Sequence, residues 1–239
     1  MTGTALSVQN LFVRYGGAAP AVSGYHVELA PGTLTVMLGR NGAGKTSTLR
    51  GITGFLAHES GTATGTVTVG GVPARRPTPL RLSRLGVGLV AEHNKIFANL
   101  GVADQLRLVA AKRTDMEEIF GFFPRLRERA GVRAGLLSGG ERQMLATALL
   151  LLRKPRVLLV DELSLGLSPA MVGELMGYLR RLADERGLTI LAAEQAVHAS
   201  LRVADRVQIL DHGTVVASGS LDSLDVDAVL DTYLGRNER

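Results

Sequence analysis

From Leu6 to Val13 apolar and polar residues take turns, as in a strand with one buried and one wet face. A second such stretch covers Val22 to Leu29, and Pro31-Gly32 turns the chain into a third, Thr33 to Leu38. Glycines follow at once, and Lys45 to Ile52 reads as a helix. Thr64 to Val69 and Val87 to Val90 are further strands, so the opening third combines antiparallel hairpins with one parallel strand–loop–helix unit. From about Asn99 to Arg133 the period lengthens. Val102, Leu106 and Val109 share one helical face, and Met116, Ile119, Phe120 and Phe123 share another, which predicts a helical insert.

A helix from Gly140 to Leu152 is expected next. Val157 to Val160 is apolar without interruption, the pattern of a strand buried on both faces. A helix (Pro169 to Glu185), a strand (Leu188 to Ala193), a short helix and a strand (Arg206 to Leu210) continue the alternation of a parallel sheet. Val226 to Leu234 reads as a short closing helix, and no internal repeat or low-complexity linker is visible.

Composition narrows the class. A chain of 239 residues is long enough for one large α/β domain, and 46% apolar with 21% charged residues excludes a disordered one. The absence of cysteine excludes disulfides and cysteine-ligated zinc or iron–sulfur sites, and suits a reducing cytoplasm. Met1 to Asn10 has neither a basic start nor an apolar core, so no signal peptide is expected. The longest apolar run, near Leu149 to Leu152, falls far short of the ~20 residues of a spanning helix. A net charge of +5 raises the question of nucleic acid, but the arginines (Arg75, Arg76, Arg81, Arg84, Arg125, Arg127, Arg129, Arg133) are not interleaved with aromatics. A mildly basic surface suited to phosphate ligands or an anionic membrane face is the expectation, with no nucleic-acid partner.

The chemistry lies in three phrases. Gly39-Arg40-Asn41-Gly42-Ala43-Gly44-Lys45-Thr46 satisfies G-x-x-x-x-G-K-[ST] between a strand and a helix. Its glycines let successive N–H groups point at phosphates, and the helix N-terminus adds a favourable dipole. Lys45 is expected to reach the β- and γ-phosphates and Thr46 to ligate magnesium, with Gly39, Asn41, Gly42, Gly44 and Ser47 completing the ATP cradle. Val157 to Val160 then delivers Asp161 to the magnesium, through a water molecule, and Glu162 to the attacking water. Ser138-Gly139-Gly140 alone is a Ser-capped helix start; at this spacing before Asp161 it reads as a second phosphate-binding one.

With these motifs in this order, the chain resembles the nucleotide-binding subunits of ABC transporters over essentially its whole length. The resemblance implies an α/β fold with a P-loop NTPase (RecA-like) core. That core and an antiparallel β-subdomain would occupy residues 1–91 with 138–239, and a helical subdomain about 92–137. It implies that Ser138, Gly139 and Gly140 of one subunit close on ATP held by another, in a head-to-tail dimer. Tyr15 would stack on adenine, and the helical insert would touch a membrane partner.

Several positions depart from the usual pattern. Glu92 stands for the magnesium-sensing glutamine, and Gln195 for the histidine at the γ-phosphate. Gln195 can donate a hydrogen bond but carries no charge. His198, one helical turn on, reads as a solvated surface residue rather than a substitute. Leu163 replaces a proline and Ser168 an aspartate. With Ile96 to Leu100 and Leu137 to Met144, these departures resemble the importers of branched-chain amino acids, or related importers of urea or short amides. That subgroup implies a second homologous ATPase subunit in a heterodimer, two multi-span permease subunits, an external solute-binding protein and a place on the cytoplasmic membrane face. A soluble ABC ATPase of ribosomes or DNA fits less well, since the chain has no second such domain and no heptad-rich insert. Lys45, Asp161 and Glu162 also speak against a nucleotide binder that never hydrolyses.

Overall fold

The computed structural model describes residues 3–17, 19–56, 60–91 and 96–224. In chain order its strands are β1 (Leu6–Tyr15), β2 (Val22–Leu29), β3 (Leu34–Leu38), β4 (Gly61–Val69), β5 (Val72–Pro73), β6 (Val87–Val90), β7 (Val157–Asp161), β8 (Thr189–Glu194), β9 (Arg206–Asp211) and β10 (Thr214–Ser220). The helices are α1 (Lys45–Thr53), α2 (Pro79–Arg84), α3 (Val102–Val109), α4 (Arg113–Phe122), α5 (Pro124–Glu128), α6 (Gly139–Leu151), α7 (Pro169–Arg186) and α8 (Val197–Leu201).

The alternating strands form a four-stranded antiparallel sheet in the order β2-β1-β4-β5. Leu6, Val8, Leu11 and Val13 of β1 are buried; the alternation slips once, at Asn10, whose φ of 55° marks a bulge in the pairing. The uninterrupted apolar strands lie within a six-stranded sheet, β10-β9-β3-β8-β7-β6, parallel except for the β10–β9 pair. Both of its faces are covered. Along β3, Leu34, Val36 and Leu38 join one apolar cluster, which continues into α3 to α7. Met37 joins the other, with Leu49 and Ile52 of α1 and the buried face of β1. Helix α1 therefore lies between the two sheets, and the approach is close: a Cβ on Gly51 would sit 2.5 Å from a Val13 methyl. The buried Tyr25 hydroxyl donates to Gln208 at 2.6 Å, tying β2 to β9.

The helical insert comprises α3, α4, α5 and a 3-10 turn at Ala134–Leu136. Val102, Leu106, Ile119, Phe120 and Phe123 are buried as their spacing requires, whereas Val109 and Met116 are only partly so. These side chains run without a break into the cluster over the parallel sheet. Ion pairs Lys154–Asp115 (3.0 Å) and Arg186–Glu118 (2.6 Å) anchor the insert's α4 to the rest of the chain.

Some elements go beyond the expectation. β4 starts at Gly61 rather than Thr64, because pairing with β1 holds residues whose side chains are mostly exposed and carry no alternation. β10 is likewise maintained by pairing with β9 and has no fully buried face. Helix α2 is not among the expected elements; in the structure Thr78 caps it by accepting from the Arg81 N–H at 3.3 Å, and Pro79 follows at the first helical position. The expected helix at Val226 to Leu234 lies outside the described residues.

Candidate active site

Three neighbouring parallel strands bring the motifs together. Leu38 pairs with Glu194 across β3–β8, and Asp161 with Ala193 across β7–β8, so the phosphate loop, the two acids and Gln195 all follow strand ends on one edge of the sheet. The loop needs its glycines. Gly44 has φ of 102°, and a Cβ there would lie 2.6 Å from the Ala21 carbonyl oxygen. A Cβ on Gly39 would meet the Leu210 carbonyl at the same distance.

Lys45 is buried, and its ammonium is fully engaged. Nζ donates to the carbonyls of Gly39 (2.9 Å) and Arg40 (3.2 Å) and lies 3.2 Å from Glu162 Oε1. The Thr46 hydroxyl donates to Asp161 Oδ1 at 3.0 Å. Asn41 is exposed at the loop, and Ser47 is half-buried in the first turn of α1. Lys45, Thr46, Asp161 and Glu162 thus meet, although 115 residues separate Thr46 from Asp161 along the chain.

The turn after β7 is unusual. Glu162 has φ of 48°, a left-handed conformation rarely held by a residue with a side chain. Its N–H donates to the Ala193 carbonyl at 2.9 Å. The next N–H, of Leu163, donates to Glu194 Oε1 at 2.9 Å, and the Ser164 hydroxyl donates to Glu194 Oε2 at 2.5 Å. A proline at position 163 would have no N–H to give, so this departure from the usual pattern creates a contact.

Glu194 is the residue that sequence reasoning missed. Its only signal is an acid at the end of an apolar strand, the same signal that marks Asp161. It is fully buried, and burial, with a smaller contribution from Glu162, pushes its carboxyl up to about 7 against the opposing bonds from Ser164, Leu163 and the Gln195 N–H. The folded protein therefore holds this proton more tightly than the unfolded chain does. That contribution is complete below the ordinary carboxylate value of 4.5 and is lost as pH rises through about 7. Between pH 5 and 8, the parental protein is expected to lose on the order of 3 kcal/mol of stability relative to Glu194→Gln. Urea unfolding at both pH values checks this, and parallel losses in the two proteins would contradict the burial account.

Gln195 lines a cleft of about 950 Å3 with Gly39, Arg40, Ser164 and Gly166. His198 is exposed on α8 and borders the same cleft. Ser138 caps α6: its hydroxyl accepts from the Glu141 N–H (3.3 Å), and Glu141 accepts from the Ser138 N–H (2.8 Å). Burial would raise the Glu141 carboxyl, but Arg129 at 2.8 Å and the Ser138 N–H outweigh it and hold the group below its ordinary value. Gly139 and Gly140 admit close neighbours from the same chain. A Cβ would lie 3.0 Å from Leu167 on the first and 2.5 Å from Met171 on the second. This segment packs on the start of α7 rather than among the groups around Lys45. Ser168 caps α7 by accepting from the Met171 N–H at 3.4 Å. The Tyr15 ring is half-buried and covers Gly61, where a Cβ would be 3.0 Å away. Glu92 lies outside the described residues.

Residues 22–164 match the profile of a family described as ABC transporter. The chain is 32% identical over 228 residues to the high-affinity branched-chain amino acid transport ATP-binding protein BraG of Pseudomonas aeruginosa, covering 92% of this chain and 96% of the relative. It is 34% identical over 204 residues to the probable branched-chain amino acid transport ATP-binding protein LivF of Archaeoglobus fulgidus, covering 82% and 84%. Among solved structures, an ATP-binding cassette of an ABC transporter in its ADP conformation superposes with a TM-score of 0.83 at 22% identity, covering 98% of each chain. At that identity the likeness speaks for the fold.

Proposed function

This chain belongs to the ABC transporter family, and we propose that within it the protein is the ATP-binding and ATP-hydrolysing subunit of an importer of branched-chain amino acids. The observation that carries the reading is the meeting of Lys45, Thr46, Asp161 and Glu162 at the mouth of one phosphate loop. In this reading Lys45 exchanges Glu162 and two loop carbonyls for the phosphates of ATP, which the first N–H groups of α1 also face. Glu162 orients and deprotonates the attacking water, and the Gln195 amide donates to the terminal phosphate. Tyr15 offers its ring to adenine.

The Thr46 hydroxyl and the Asp161 carboxylate supply adjacent hard oxygens, a donor set that suits magnesium, with Glu92 a third candidate. Bound there, magnesium would set positive charge against the phosphate oxygens. Ser138, Gly139 and Gly140 would complete the site of a second subunit, head to tail. Their packing on Leu167 and Met171, away from Lys45 in their own chain, supports that reading. We assign residues 1–91 and 138–239 to the core with its β-subdomain, and about 92–137 to the helical subdomain.

Membrane partners are supported by two adjoining apolar grooves of about 240 Å3 each, which share Leu89, Ala91, Leu150 and Arg153. Phe97 and Leu108 open one and Phe55 the other, all exposed. None of the helices among the described residues is long and apolar enough to cross a membrane. We therefore assign the grooves to a helix of a multi-span permease, two of which would pair with this chain and a second homologous ATPase at the cytoplasmic membrane face. An external solute-binding protein would deliver the amino acid.

The test is to tag this chain, solubilise native membranes in mild detergent and identify the co-purifying proteins. Two permeases and a second ATPase are expected, together with ATP hydrolysis by the isolated assembly; ribosomes or DNA-bound proteins in their place would overturn the transporter reading. Leu108→Asp puts a charge in the groove and is expected to reduce permease recovery by about 10-fold or more. Undiminished recovery of the permeases with this variant would remove the groove from the interface.

A further inference from the structure

We infer that Glu194 is a positioning residue whose buried carboxylate clamps residues 163–164 to the end of β8, so that Glu162 and Gln195 are set by one joint. The inference rests on the ATP-hydrolysing reading above for what Glu162 and Gln195 do, but the clamp itself is geometric.

Glu162 must point its carboxylate towards Lys45, and it does so with φ of 48°. A residue with a Cβ keeps that conformation only when its surroundings over-determine it. Here the determinants come from two consecutive residues of one strand end. Ala193 takes the Glu162 N–H at 2.9 Å, and Glu194 takes the Leu163 N–H at 2.9 Å and the Ser164 hydroxyl at 2.5 Å. Each carboxyl oxygen takes one of these hydrogen bonds, and with Glu194 fully buried no solvent competes for them. Leu163 is itself buried in the apolar cluster, which fixes the other side of the turn.

The clamp also reaches the opposite wall of the site. Gln195 follows Glu194 directly and faces the cleft bordered by Gly39, Arg40 and Ser164, while its carbonyl accepts from the Val197 N–H at 2.9 Å. The candidate base and the candidate phosphate-contacting amide thus stand on either side of one carboxylate. Glu194 has no place among the groups that would touch ATP. It acts through the residues it holds, and it leaves the contacts of Lys45 with the phosphate loop alone.

Turnover and hydrogen exchange on the full-length protein, assembled with its membrane partners, test this. Glu194→Ala is expected to lower kcat by about 10-fold, with KM for ATP changed by less than about 2-fold. Ser164→Ala should reproduce part of that loss, and the double variant should be no slower than Glu194→Ala, because both changes remove one shared contact. Glu194→Gln keeps an oxygen for the Leu163 N–H and should recover most of the rate. In parallel, the Leu163 amide should exchange faster in Glu194→Ala than in the parental protein. Parental kcat in both Ser164→Ala and Glu194→Ala, or a loss that falls equally on KM, would overturn the positioning role. If Glu194→Ala does not fold, Ser164→Ala decides on kcat, and Glu194→Leu, which fills the buried position without an acceptor for the Leu163 N–H, decides on exchange. A parental protein without ATPase activity would sink the catalytic reading, while unchanged Leu163 exchange would sink the clamp.

Discussion

Glu162→Gln is expected to reduce ATP turnover by about 100- to 10,000-fold, the range for removing a positioned general base, while ATP still binds. Glutamine has nearly the shape of glutamate, so the turn held by Ala193 and Glu194 has no steric reason to change. What disappears is the basic oxygen and the negative charge 3.2 Å from Lys45. Relieved of that partner, the Lys45 ammonium is a freer cation for phosphate, so the affinity for ATP should be equal to or higher than the parental one. Phosphate release and an equilibrium titration with labelled ATP, on the same preparation, separate the two effects. Turnover at the parental rate would mean that Glu162 is not the base.

Lys45→Ala should do the opposite and strike binding. The ammonium is the only group bonded at once to the Gly39 and Arg40 carbonyls and to Glu162 among the described residues. Removing it takes the ammonium donor from both loop carbonyls, of which Arg40 keeps the Ala43 N–H at 3.1 Å, and leaves a buried carboxylate without its counter-charge, which disfavours the folded loop. It also deletes the charge that would meet the phosphates. Truncating one partner of a buried charge pair typically costs about 2–5 kcal/mol, or roughly 30-fold and more in affinity. The same titration checks it; a variant that binds ATP like the parent would dissociate Lys45 from the nucleotide. The contrast between the two variants, one binding without turning over and the other failing to bind, is what this arrangement of one cation and one base requires.

The layout of these groups was legible to different depths. The phosphate loop could be read because its chemistry is local: glycines where φ must be positive or backbone must approach, then a lysine and a threonine opening a helix. Asp161 and Glu162 were legible because an apolar run ends abruptly in two acids. The helical insert announced itself through Val102, Leu106, Ile119, Phe120 and Phe123 at helical spacing. Strands whose order depends on pairing alone, the first three residues of β4 and all of β10, carried no such signal and were missed in part or whole. The glycines after Ser138 were read for a phosphate, yet within one chain they serve to admit Leu167 and Met171, a contact that spacing cannot reveal.

Motif identity, motif order and the two kinds of strand belong to the linear chain, because each depends on residues within a few positions of one another. Register belongs to the folded molecule. β3, β7 and β8 are apolar on both faces, so sliding one of them by a residue would exchange one buried aliphatic side chain for another, and no alternation marks the correct alignment. That alignment sets Asp161 beside Ala193 and brings its carboxylate to Thr46 across 115 residues of sequence. It also turns Glu194, an unremarked acid at a strand end, into the partner of Leu163 and Ser164, since a hydrogen bond forms by proximity in space and leaves no periodic trace along the chain.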